Sequence, residues 1–321
     1  MGRAAVDLYA NEIGIALEEV SSFSKYVGGC PANIAIGASR LGLRTGMLSA
    51  VGDEAMGRFV RATLQREGVD TAYLHTKSDH LTGLVLLGID PPDRFPLIFY
   101  RENCADMALT EDDFDLSLFQ TTHSLLITGT HCSKHQSFQM TKRAVALAKE
   151  AAAEVILDID YRPVLWGAAG HGSGEARDTP HQMVSERLSE LFSACSLIVG
   201  TEEELCVATN RSSAAEAVIA LRRASSALIV QKRGREGCVV YPPKGEPIIG
   251  HPYPVDVLNV LGAGDAFLSG FLRGYLRRES LERCCQLGNA NGALVVTRHG
   301  CAPAMGTLHE LEEMIADGCY A

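Results

Sequence analysis

The chain has 321 residues, 46% of them hydrophobic, and a formal net charge of −10. That length suits one large α/β domain with an appendage. The acidic balance, with no dense Lys/Arg cluster, argues against nucleic acid or an anionic membrane as partner.

No apolar run reaches the roughly 18 residues of a membrane span, and the N-terminus lacks the apolar stretch of a secretion signal. A cytoplasmic location is therefore expected. The ten cysteines should be reduced thiols there, and none forms a Cys-x-x-Cys pair.

The elements follow in chain order. Asp7 comes after a short apolar stub. Residues 8–27 read as β-rich, 45–51 as a strand and 56–67 as a helix. Residues 73–105 are again β-rich. Within them 83–89 and 97–100 flank a Pro91-Pro92-Asp93 turn and read as a hairpin over one end of the main sheet. Strands at 124–128, 155–158, 197–200 and 227–231 then alternate with helices at 136–153, 183–194, 201–207 and 214–224. Such alternation predicts a mostly parallel sheet covered on both faces. Helices are expected at 262–277, 281–296 and 308–316, the last capped by Thr307 with Glu310 three residues on. The fold class is α/β, one domain over 1–321 with lid segments at about 8–27 and 73–105.

Two glycine-rich segments carry the chemistry. In Asn259-Val-Leu-Gly-Ala-Gly-Asp265, the triplet Gly262, Ala263, Gly264 leaves backbone amides open where a helix begins. The helix dipole makes that an anion site suited to a transferring phosphoryl group. Asp265 lies beside it, where an ordinary N-terminal acid would also be at home. In Gly28-Gly29-Cys-Pro-Ala-Asn33, two glycines allow close approach of a polyhydroxylated ligand. Pro31 suits a first helical turn, and Asn33 offers a donor and acceptors to hydroxyls.

Arg101 follows the lid hairpin and Arg162 a core strand. At one edge of an α/β sheet the two could hold a carboxylate with bidentate hydrogen bonds. Alternatively they pair with Glu102 or Asp160 at the surface. His131 and His135 suggest a metal pair, but no carboxylate is spaced to complete it.

Together the glycine segments resemble the two signatures of the ribokinase (PfkB) family of carbohydrate kinases: Gly28 to Asn33 with Gly42 and Gly52, then Asn259 to Asp265. The resemblance runs over nearly the whole chain. It implies a three-layer α/β/α core with a small β-rich lid, ATP and Mg²⁺ as cofactors, and phosphorylation of a sugar. Asp265 would be the base, with Gly262, Ala263 and Gly264 as its anion hole. Asp7 occupies the place of the family's sugar-binding Asp, and the stub before it implies that most of a first strand is missing. The segments Tyr100-Arg101-Glu-Asn103 and Asp158-Ile-Asp-Tyr-Arg162-Pro are similar to those of the family's sugar-acid kinases, which adds Asn103 to the substrate residues.

Gly200-Thr-Glu-Glu203 matches an Asn-x-x-Glu motif that organises Mg²⁺ through water, with Gly200 for Asn and Glu203 retained. Lys232, Gly234 and Gly237 resemble the nucleotide loop, though a basic β-turn would look the same. Asn289 and Asn291 would lie near adenine. Asn259 replaces the Asp that helps bind a monovalent cation in relatives, which leaves that cation open. The lid suggests a homodimer by analogy. The rival reading is a non-catalytic sensor of sugar acid or nucleotide on the same fold. No Gly-x-x-x-x-Gly-Lys-Ser/Thr loop is present, so a P-loop kinase is excluded.

Overall fold

The computed structural model describes residues 1–90, 94–174 and 181–318. The chain opens with strands β1 (Ala5–Ala10) and β2 (Phe23–Gly28), then helix α1 (Cys30–Arg40). Strand β3 (Ser49–Gly52), helix α2 (Ala55–Arg66) and strand β4 (Leu74–Lys77) follow. Strands β5 (Gly83–Leu87) and β6 (Leu97–Tyr100) come next; the Pro91-Pro92-Asp93 turn expected between them lies outside the described residues.

The second half begins with α3 (Leu116–Gln120), β7 (Ser124–Thr128), α4 (His135–Glu150) and β8 (Glu154–Asp158). It continues with α5 (Pro163–Trp166), α6 (Gln182–Phe192), β9 (Leu197–Thr201), α7 (Glu202–Thr209) and α8 (Ala214–Ala224). Strands β10 (Leu228–Lys232), β11 (Cys238–Tyr241) and β12 (Ile248–Gly250) precede α9 (Ala263–Leu276), α10 (Leu281–Val296) and α11 (Leu308–Ala316).

The main sheet has the order β12-β11-β10-β9-β8-β7. Its strands β7 to β10 are parallel, and β10-β11-β12 are antiparallel. Alternation along the strands feeds two apolar layers. Ile156, Leu197, Val199, Leu228 and Val230 turn to α1, α9 and α10, packing on Phe267, Phe271 and Ile34. Val155, Leu157, Ile198 and Ile229 turn the other way, to Phe138, Val184, Leu188 and Leu221 on α4, α6 and α8. Each such fully buried Leu, Ile or Phe contributes about 1.5–3 kcal/mol of transfer free energy, which fixes the helices on both faces.

Strands β3 and β4 form a separate parallel pair. Met1 and Gly2 lie between it and the main sheet. The Met1 amine donates to the Leu126 carbonyl at 2.7 Å, and the Gly2 amide to the Leu48 carbonyl at 3.3 Å. Burial pulls that amine down to about 5.

The lid is a four-stranded sheet, β2-β1-β5-β6. It draws on both segments expected for it, with two corrections. Its first strand begins at Ala5, and residues 74–77 pair with β3 instead of joining it. Its inner face carries Tyr9, Val85, Leu87, Leu97 and Phe99, packed with Leu165, Ala266 and Cys301 of the core. The adjacent cysteines Cys284 and Cys285 are buried free thiols on α10. Among the described residues no helix is long and apolar enough to cross a membrane.

Candidate active site

Alternate side chains of β1 and the residues just before it point the same way. Arg3, Asp7 and Tyr9 therefore line one cavity, between the lid and the start of α9. The glycine doublet after β2 makes room for them. A Cβ on Gly28 would lie 1.9 Å from Oδ1 of Asp7. One on Gly29 would lie 2.5 Å from the Arg3 carbonyl, and Gly29 has a φ of 96°, a region costly for other residues. The doublet thus seats Asp7 and Arg3 as well as opening the backbone. Burial pushes the Asp7 carboxyl up to about 7; Arg3 opposes this and Asp265 adds to it.

Asp265 stands in the first turn of α9. That helix starts at Gly262, whose φ of 87° and closeness to Cys301 admit no side chain: a Cβ would sit 2.2 Å from the Cys301 sulfur. The Ala263 amide turns back to the Val260 carbonyl at 3.3 Å. The amides of Gly264 and Asp265 follow in the first turn, where an α-helix offers no acceptor. Asn33 on α1 donates to Oδ2 of Asp265 at 2.8 Å. Burial pushes the Asp265 carboxyl above the usual range and Asp160 adds to this, while the Asn33 bond and Arg162 pull it back.

A second charged group borders the first. Lys232, at the end of β10, lies 3.1 Å from Oδ1 of Asp158 and 3.6 Å from Oε2 of Glu204. Burial pulls its amine down, but Asp158 and Glu204 overcome that and hold it protonated, above an ordinary lysine. The amine also faces the start of α9: a Cβ on Gly264 would lie 3.3 Å from it. An ammonium and open helix amides thus converge on one spot, a combination that binds anions.

Arg162 pairs with Asp160 at 3.3 Å and with Glu204 at 3.8 Å. Asp160 has a φ of 35°, a sparsely populated conformation for a non-glycine residue that tends to occur at functional sites. Burial raises its carboxyl, but Arg162, Arg3 and a 2.7 Å bond from Thr130 lower it further.

Of the residues expected at a site, Asp7, Gly29, Asn33, Arg162, Gly262 and Asp265 line this cavity, and Gly28 stands against Asp7. Others are placed elsewhere. Arg101 is buried in an ion pair with Asp106, at 2.5 and 3.1 Å, and does not line the cavity. Asn103 is exposed, with a φ of 51°. Glu203 is exposed, and its neighbour Glu204 takes the inward place. The cause is the capping box of α7: Thr201 and Glu204 bond reciprocally, which fixes Glu204 inward.

Asn291 is fully buried between helices, bonded to Ala266, Ser269 and the Gly306 amide, with no group left for a ligand. Asn289 is 8% exposed and donates to the His251 carbonyl at 2.8 Å. Gly234 is exposed, while Gly237 is buried in the tight turn before β11. The oxygen of Asn259 accepts from the Leu261 amide at 2.9 Å. His131 is buried and His135 exposed. Among the described residues the one group spaced for a metal is Cys30, Asp158 and Asp265.

Arg3 and Glu204 were not anticipated, whereas Asp160 is the expected ion-pair partner of Arg162, buried instead of at the surface. Counting back by twos from Asp7 along β1 finds Arg3, and the Thr-x-x-Glu spacing finds Glu204.

Residues 1–308 match the family model described as pfkB family carbohydrate kinase. The 5-dehydro-2-deoxygluconokinase of Bacillus licheniformis is 35% identical, over 98% of this chain and 94% of that protein. The same-named protein of Bacillus subtilis is 33% identical, over 98% and 94%. Among solved structures, a putative ribokinase II from E. coli in complex with ATP and Mg²⁺ superposes with a TM-score of 0.88. It is 23% identical and covers 99% of this chain and 98% of its own. Fructokinase from Vibrio cholerae O395, in a fructose, ADP and calcium bound form, gives 0.82 at 26% identity, over 98% and 96%.

Proposed function

The chain belongs to the pfkB family of carbohydrate kinases, and from that premise we propose that it phosphorylates 5-dehydro-2-deoxy-D-gluconate. The phosphoryl group comes from ATP and goes to the terminal hydroxyl, giving the 6-phosphate. The observation that carries this reading is Asp265, buried at the start of α9 and held by Asn33, in a cavity that also contains two arginines.

The chemistry follows from these residues. Asp7 and Asn33 hold sugar hydroxyls. Asp265 accepts the proton of the terminal hydroxyl as its oxygen bonds to the γ-phosphorus and the bond to the bridging oxygen of ADP breaks. The Gly264 and Asp265 amides and the Lys232 ammonium stabilise charge on the transferred group. The apolar lid residues Val85, Leu87, Leu97 and Phe99 exclude water, which limits futile hydrolysis of ATP.

The buried carboxylates Asp158 and Glu204 already share Lys232. That donor set suits a Mg²⁺ ion that arrives with the nucleotide and keeps several of its waters. When bound, the ion would neutralise phosphate charge beside Lys232. A monovalent cation would find the Asn259 oxygen committed to Leu261. Gly234 and Gly237 border the nucleotide in this reading. The lid sheet would pair with a second copy, which sedimentation tests directly.

The test of function is a coupled ADP assay with 5-dehydro-2-deoxygluconate, 2-keto-3-deoxygluconate and no sugar. ADP formation should depend on the first. Preference for the second would reassign the substrate. Tight sugar-acid binding without turnover would replace the kinase by a sensor.

A further inference from the structure

We propose that Arg3 is the residue that selects the substrate for its negative charge, by binding the carboxylate of the sugar acid. This rests on the sugar-acid kinase reading above. It replaces Arg101, whose guanidinium is committed to Asp106, and it separates the roles of the two cavity arginines.

Arg162 lies among acids. Asp160 and Glu204 pair with it, and Asp265 also acts on it. Its charge is spent within the protein, at the reacting end of the cavity. Arg3 is different. It is 6% exposed, yet among the described residues its side chain has no ion pair within 4 Å, and its Nε is buried without a partner. A buried donor left unpaired is costly unless something else completes it. A ligand oxygen in the cavity is in position to do so.

Its surroundings place it at the sugar end. The guanidinium carbon sits 5.6 Å from the centre of the Phe99 ring on β6, a cation–π contact that holds the group in place before substrate arrives. Its long-range partners are Asp7 and Asp160, and both feel its charge. A guanidinium fixed in this way presents a planar fork matched to a carboxylate. A sugar without a charged end offers it only hydroxyl or carbonyl oxygens.

The probes are 5-dehydro-2-deoxygluconate and its primary amide at C1, which keeps the shape and removes the charge. Wild type should prefer the acid. In Arg3→Met, kcat/KM for the acid should fall about 10- to 150-fold, the range expected for one charge-assisted hydrogen bond. The loss should appear mainly in KM, and the amide should lose less, so that the preference collapses. Arg3→Lys keeps the charge but not the fork and should fall between the two. KM for ATP should stay close to wild type.

If wild type turns over the acid and Arg3→Met retains the same acid-to-amide ratio, Arg3 does not read the carboxylate and the kinase reading stands. If wild type does not use the acid, the substrate assignment falls and Arg3's role falls with it. Should Arg3→Met not fold, Arg3→Lys decides the ratio; should neither fold, Arg3 is structural and the inference is overturned.

Discussion

Asp7 and Asp265 are acids shifted upward mainly by burial, and this has two consequences. A carboxyl near 7 in the folded chain and about 3.9 unfolded binds more proton when folded. Its contribution to stability is therefore present at low pH and lost as pH rises from about 4 through 7. Asp7→Asn should flatten that part of the pH–stability curve, read by urea denaturation at several pH values. An ionised carboxylate accepts hydroxyl hydrogen bonds more strongly than the neutral acid does, so KM for the sugar should fall as pH rises through 7 in wild type but not in Asp7→Asn. For the base, Asp265→Asn keeps the Asn33 contact but cannot take the proton; turnover should drop about 10²- to 10⁴-fold. Near-normal turnover in purified mutant would remove Asp265 from the mechanism. Arg101, buried against Asp106, should act on stability instead. Arg101→Met strands Asp106, whose Oδ1 already has no partner. That should cost about 3–5 kcal/mol of unfolding free energy, with little change in KM for the sugar.

Elements were legible where local physics decides them. Helix α10 and the Thr307 cap of α11 fall where period and capping residues put them, and β7 likewise. Site residues were less legible because their facing depends on register. A motif match aligned Glu203, but the capping box at the start of α7 turns Glu204 inward. Glu204→Gln should thus impair turnover strongly, and Glu203→Gln hardly at all; the reverse ranking in steady-state kinetics would restore the motif alignment. Arg101 looked like a ligand because it follows a lid strand. Nothing local told that Asp106, five residues on, would capture it. Arg3 was less legible because it lies before β1, outside the stretch whose alternation sets the facing.

At the scale of the molecule, the site is assembled by the lid, the glycine doublet and α9 together. The hydrogen bond from Asn33 to Asp265 closes a loop of 232 residues. Contacts of such long sequence separation carry a large closure entropy and form late. Turnover should therefore be the last property regained on dilution from denaturant, after far-UV ellipticity has returned. On the ribosome the same span has a different meaning. The nascent chain makes its sugar loop long before its base, and Leu261, Gly262 and Cys301 also wall the cavity, so neither the closed cavity nor ATP discharge exists until synthesis is almost complete. The enzyme is in that sense silent until it is finished.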